Sequence, residues 1–123
     1  MDISVLTTIK KMLGIDAAVT DFDTDLIVLI NSVFVTLKQL GVGPSTTFQI
    51  TGSTEVWSNF ATDIDILSFA KTYVYLKVKS TFDPPTSSAV LEAMKSTISE
   101  LEWRLNAEIE EGTYVPPEIP DEE

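Results

Sequence analysis

The chain has 123 residues, no cysteine, no histidine and a formal net charge of -11. Without these two residue types it lacks disulfides, thiolate nucleophiles, imidazole bases and zinc-finger ligand sets, which excludes much of hydrolase and metalloenzyme chemistry. The excess of acidic residues argues against a surface that binds nucleic acid, because such surfaces neutralise phosphates with lysine and arginine. We therefore predict no catalytic residue, no cofactor and no metal, and a protein that works by packing against other proteins.

The length suits a single domain that buries its own core. The N-terminal residues show neither the basic nor the apolar region of a signal peptide, and no stretch approaches the roughly 18 apolar residues of a membrane span. We expect a soluble protein that is made in the cytoplasm and does not contact a membrane.

The first helix is predicted over residues 2–13, where apolar residues recur at helical spacing. Asp2 can cap its N-terminus, and Gly14 follows as a stop signal. A polar stretch separates it from the second helix.

The second helix is predicted to begin at Asp23 or Thr24 and to end at Gly41. Its apolar residues form a stripe wider than a single seam, so we expect contacts on two sides of this helix. The stripe comprises Leu26, Ile30, Val33, Leu37 and Leu40, widened by Ile27, Leu29, Phe34 and Val35.

Two short motifs near this helix are interpreted as helix ends rather than ligand sites. Asp21, Asp23 and Asp25 begin like a calcium loop, but the required glycine and the final bidentate acid are replaced by Leu26 and Ser32. The Gly-Val-Gly run after the helix lacks the strand and following helix of a phosphate cradle, so we interpret it as a cap and turn.

A long loop is predicted over residues 41–53, which are rich in Gly, Pro, Ser and Thr. Within it Thr47, Phe48, Gln49 and Ile50 alternate like a short strand, and a loop of this length is often functional. We name these four residues as candidate contacts with a partner or a neighbouring copy. A loop that only caps the core is an equally good interpretation.

The residues after this loop contain the first of two tryptophans. Val56, Trp57 and Phe60 predict a brief helical turn that acts as a hydrophobic plug. Trp57 and Trp103 are interpreted as core or interface anchors rather than as stacking platforms for bases.

The third element, residues 63–79, fits two structures. Residues 73–79 alternate with period two and are β-branched or aromatic, which is typical of a strand, but the whole segment also presents an apolar helical face. Because no comparable partner strand exists elsewhere, we predict a helix. Asp83, followed by two prolines, ends it.

The last helix is predicted to be capped by Thr86, Ser87 or Ser88. Its apolar stripe favours a core helix of a bundle over a coiled-coil seam, because two heptads are few. The stripe comprises Leu91, Met94, Ile98, Leu101 and Leu105.

An acidic tail with three prolines is predicted from residue 111, which divides the chain into a helical domain, residues 1–110, and an extended segment, residues 111–123. The tail is interpreted either as a peptide that folds onto a partner's groove or as a solubilising extension. For the first case the predicted contact residues are Tyr114, Val115, Pro116, Pro117 and Ile119.

Nine short segments, taken in order and spacing, resemble the head-to-tail connector family of long-tailed phages and prophages. The resemblance extends to about Asn106 and does not include the acidic end. The segments are residues 5–14, 22–25, 30–34, 39–44, 56–60, 71–78, 82–85, 87–92 and 99–105.

This resemblance implies an all-α, non-enzymatic bundle of about four main helices, which also supports the helix at residues 63–79. It implies a ring of about twelve copies on the portal vertex, at the virion neck, that extends the DNA channel and enables head completion and tail attachment. The implied partners are the portal protein and the next neck protein, the stopper, or a tail component. DNA would pass through without specific binding.

A second hypothesis is a small acidic regulatory module that mimics DNA or inhibits a host factor. In that case the acidic tail carries the binding, and removing residues 112–123 should abolish it. A connector would keep its bundle without the tail.

Overall fold

A computed structural model describes residues 4–44, 46 and 48–113, with side chains described up to residue 107. It contains four α-helices: α1 (Val5–Leu13), α2 (Asp23–Gln39), α3 (Ile64–Phe82) and α4 (Ser88–Thr113). A short 3-10 helix, Trp57–Asn59, lies between α2 and α3. Within the described ranges the extended pairing is a single bridge between Ser4 and Val56. The predicted all-α bundle is therefore confirmed.

Both ends of α1 have side-chain or glycine caps. The N-terminal cap is Ser4, whose Oγ accepts a 2.9 Å hydrogen bond from the Thr7 backbone N–H. The helix begins three residues later than we predicted, and Asp2 lies outside the described residues. At the other end Gly14 has a φ of 83°, and the Ile15 N–H donates to the Lys10 carbonyl at 2.8 Å. The predicted stop at Gly14 is confirmed.

The α2 helix ends in the turn predicted from its Gly-Val-Gly run. Gly41 has a φ of 90°, and the Val42 N–H reaches back to the Leu37 carbonyl at 2.9 Å. Val42 is itself buried, so the turn also fixes an apolar side chain in the core. As predicted, α2 is contacted by two elements, α1 and α3, but Val35, which we had placed in the contacted stripe, is 39% exposed.

The α3 helix is the centre of the bundle, because it packs against α1, α2 and α4. Asp63 caps it through its Oδ1, which accepts hydrogen bonds from the N–H groups of Asp65 and Ile66. Its fully buried residues recur at helical spacing and not at period two: Ala70, Tyr73, Val74 and Val78. The helix prediction is confirmed, and the strand alternative is wrong.

The α4 helix packs on α3 through Ile98, Leu101 and Leu105, three of the five predicted stripe residues, all of which are buried. Met94 is partly buried against the same core. The helix runs to Thr113, so residues 111–113, which we had assigned to the extended tail, are helical. The last ten residues lie outside the described part of the chain.

An aromatic cluster joins α2 to the segment that connects it with α3. Phe34 of α2 lies at the centre, with ring centroids 4.9 Å from Phe48, 5.0 Å from Phe60 and 6.2 Å from Trp57. The Trp57 indole N–H donates to the Thr8 hydroxyl at 3.0 Å, which joins the cluster to α1. The predicted hydrophobic plug is confirmed.

A buried lysine holds the polar segment between α1 and α2. Lys10 is only 3% exposed, and its Nζ lies 2.8 Å from Oδ1 of Asp23. The same ammonium donates to the carbonyl oxygens of Ala17 at 3.2 Å and Val19 at 2.5 Å. Because one cation satisfies three acceptors, the segment stays against the helices without an apolar core of its own.

We predict that Gly43→Ala lowers the free energy of unfolding by about 2–4 kcal/mol. Gly43 has a φ of 100°, and a Cβ there would lie 2.5 Å from Cε1 of Phe60. Gly52→Ala is the matched control, since no atom lies within 4 Å of its added Cβ. Urea denaturation followed by circular dichroism measures both. Equal stability of the two variants would contradict this packing.

Candidate assembly surfaces

The loop residues that we predicted as contacts lie in different environments. Ile50 is 1% exposed, and Phe48 is half-buried in the aromatic cluster, while Gln49 is exposed. The Asn31 side chain holds this stretch from α2: its Nδ2 donates to the Ile50 carbonyl at 2.9 Å, and its Oδ1 accepts from the Ile50 N–H at 2.7 Å. Gln49 is therefore the member of this described trio that a partner can reach. Thr47 lies outside the described residues.

The outward face of α4 carries an exposed tryptophan. Trp103 is 71% exposed, and it lies about 160° around the helix from the buried face of Leu101 and Leu105. Exposed residues continue its row along the helix, and we call this row the α4 stripe: Glu92, Ser96, Ser99, Trp103 and Asn106. A large aromatic side chain in such a position is typical of an interface anchor.

The outward face of α2 is exposed and uncharged. Val28 is 63% exposed, and Val35, two turns further along the helix, is 39% exposed. We call their row the α2 stripe: Thr24, Val28, Ser32, Val35 and Gln39, all of them exposed. Between Asp25 and Lys38 the helix has no charged residue. A charge-free exposed face on so acidic a chain favours contact with protein over contact with water.

A groove of about 600 Å³ lies between α3 and α4. Its apolar lining residues are Pro84, Leu91 and Ile98, and its cationic ones are Lys77 and Lys95. Lys77 extends over the ring of Tyr73, with 5.9 Å from its Nζ to the ring centroid.

The same groove is bounded by a hydrogen bond that joins the two helices. The hydroxyl of Tyr73 on α3 donates to Oε2 of Glu102 on α4 at 2.8 Å. Burial, together with the neighbouring Glu102 carboxylate, raises the pKa of Tyr73 well above its usual value. The phenol therefore stays protonated and remains a donor throughout the physiological range.

The charges of the chain are unevenly distributed. All eight basic residues lie between Lys10 and Arg104, whereas residues 108–123 contain seven acids and no base. The folded body is therefore only mildly acidic, and the excess negative charge is concentrated at the C-terminal end. Among the described side chains, no three acids are grouped so that they could hold a metal ion.

The described residues define a small all-α protein with two exposed helix faces and one groove. The model of the phage connector protein family matches residues 5–112. The chain therefore belongs to that family, whose role is structural. No curated protein and no solved structure matches it. No helix in the described part is long and apolar enough to cross a bilayer.

Two features of the structure were not predicted from the sequence: the groove between α3 and α4 and the burial of Lys10. The groove depends on how α3 and α4 pack, and the burial of Lys10 depends on a carboxylate 13 residues later, so neither is visible in a local pattern. The open α4 face could have been found, because Trp103 falls opposite the apolar stripe on a helical projection. We had left it as either a core or an interface residue.

We predict that Tyr73→Phe lowers the free energy of unfolding at pH 7 by about 1 kcal/mol, because Glu102 loses its donor. The pKa of Tyr73 is higher in the folded chain than the value near 10 of an unfolded tyrosine. Its stabilising effect is thus complete below pH 10 and is lost as the pH rises further.

Urea denaturation at pH 7, 9 and 11 measures this effect. The difference between the wild type and Tyr73→Phe should shrink at pH 11, whereas Tyr75→Phe, the control on the same helix, should follow the wild-type pH dependence. A constant difference between the wild type and Tyr73→Phe would contradict the assigned hydrogen bond.

Proposed function

We propose that the chain forms a ring of about twelve copies that connects the portal vertex of a DNA-filled phage head to the rest of the neck. The ring extends the DNA channel, and it is needed for head completion and tail attachment. Its partners are the portal protein on one side and the stopper or a tail component on the other. The match to the connector family over residues 5–112 is the observation that carries this proposal.

The described charges suit a DNA conduit. Three of the eight basic residues form ion pairs with neighbouring acids: Lys10 with Asp23, Lys79 with Asp83 and Arg104 with Glu100. Paired cations offer phosphates little net attraction, so DNA can pass along such a wall without being held. This distribution supports a channel protein over a protein that retains DNA.

The two stripes support a closed assembly. The α2 stripe and the α4 stripe lie on different helices and differ in composition, one presenting valines and the other a tryptophan. A contact between two unlike surfaces repeats from copy to copy and closes into a ring when the rotation permits. We propose that the α4 stripe of one subunit packs on the α2 stripe of the next.

The predicted contacts at Gln49 and in the acidic tail remain proposals for the portal or a neighbouring copy.

The test is negative-stain electron microscopy of particles from a phage or induced prophage with an early stop codon in this gene. We expect heads without tails, next to free tails. Intact virions would contradict the connector role and favour the acidic regulatory module.

A plasmid copy of the gene extends the same experiment to the interface. A wild-type copy and a Ser96→Ala copy should restore tailed particles, while a Trp103→Ala copy should reduce them about tenfold or more, as the loss of an interface anchor implies. Ser96 is the matched control, because it lies in the α4 stripe two turns before Trp103. Thermal unfolding of purified Trp103→Ala should equal the wild type, since this side chain is mostly in water. Normal tailing with Trp103→Ala would remove this residue from the interface.

A further inference from the structure

We propose that the groove between α3 and α4 binds the C-terminal segment, residues 114–123, of a neighbouring copy of the chain. The proposal rests on the ring assembly proposed above and names a second contact within it. The groove is formed by described residues on the last turns of α3, the first half of α4 and the connection between them.

The lining of the groove has the chemistry of a site for an acidic peptide with apolar anchors. Leu91 and Ile98 give it an apolar surface, and Ser80 and Ser99 add polar groups. Lys77 and Lys95 supply positive charge from both helices. Glu102 also lines the groove, but its Oε2 already accepts the Tyr73 hydrogen bond.

The C-terminal segment has the complementary composition. Tyr114, Val115 and Ile119 are its apolar residues, and Glu118 and Asp121 begin a run of acids with no base. Extended peptides of this kind bind grooves by placing apolar side chains in the floor and charges against the rim. Residues 114–123 contain no lysine or arginine, so the side-chain charge of this segment is wholly negative.

The length of the chain favours a neighbouring copy, because it restricts which apolar residues of the segment can reach the groove of their own chain. Along α4, the residue of the groove nearest to Thr113 is Glu102, about 16 Å away, and Ser99 lies about 21 Å away. Tyr114 and Val115 extend at most about 7 Å beyond Thr113, so they cannot reach the groove of their own chain, whereas Ile119, at most about 21 Å beyond Thr113, can reach only its nearer end. A neighbouring copy has no such restriction, because its Thr113 can lie near the entrance of the groove.

An exchange of tails in one direction has a consequence for assembly. Each copy would donate one tail and receive one, which is a contact between unlike surfaces, like the contact between the two stripes. The two contacts would then support the same ring, and the four acids of residues 114–123 would be partly neutralised by lysines of the next subunit.

The test is fluorescence anisotropy with a labelled peptide of residues 111–123 and the full-length chain, diluted until sedimentation shows monomers. We expect saturable binding that weakens as salt is added. The double variant Lys77→Glu and Lys95→Glu should bind about tenfold or more weakly, whereas Lys11→Glu, on α1, should bind like the wild type. A peptide whose acids are replaced by lysine should regain binding to the double variant, which also shows that this variant is folded.

Three results would overturn the inference: no binding of the peptide at the highest concentration at which the chain stays monomeric, equal binding by the wild type and the double variant, or binding that persists when Tyr114, Val115 and Ile119 of the peptide are changed to serine. Tailless heads from the stop-codon phage together with a peptide that does not bind would refute the groove contact and leave the connector role intact. A peptide that binds together with normal virions would refute the connector role instead.

Discussion

The burial of α3 is the constraint on which the rest of the structure depends. This helix contacts all three others, and its Tyr73, Val74 and Val78 are fully removed from water. Burial of a large apolar side chain contributes about 1.5–3 kcal/mol, so these positions fix which faces of α2 and α4 turn inward. The outward faces that remain are the two stripes. The surfaces proposed for assembly therefore follow from how α3 is covered.

The connections between helices are held by polar contacts over long sequence distances. Asn31 fixes Ile50 from 19 residues away, and Lys10 fixes the segment that ends at Asp23. In both cases one side chain satisfies two or more polar groups of a segment that is distant in sequence. These contacts keep the long loop on the bundle, so that Phe48 and Ile50 pack into the core while Gln49 faces solvent.

The sequence was sufficient to predict the helices, their order and the plug around Trp57, because apolar spacing, glycine stops and the two prolines after Asp83 act locally. It was also sufficient to reject a strand at residues 73–79, since no partner strand was available. The start of α1 at Val5 and the end of α4 at Thr113 were not predicted. The exact ends of a helix depend on the capping hydrogen bonds and on the contacts with neighbouring elements. The orientation of Phe48, Gln49 and Ile50 required the Asn31 contact, which no short pattern contains.

The same limit applies to the candidate site. Trp103 could be placed on an open face from the sequence, but the groove with Lys77 and Lys95 appears only when α3 and α4 are packed together. Family membership gives the structural role, and the packing gives the surfaces through which that role is proposed to act.

The most direct test of this account is cysteine cross-linking between subunits in assembled heads. The chain has no cysteine of its own, so the double variant Ser32→Cys and Ser96→Cys reports on the proposed contact between the α2 stripe and the α4 stripe while keeping Trp103 in place. Mild oxidation should give a ladder of covalent multimers that extends to the size of a closed ring, and each single variant should remain monomeric on a denaturing gel. Monomers alone, or dimers alone from either single variant, would contradict a ring built from these two unlike surfaces.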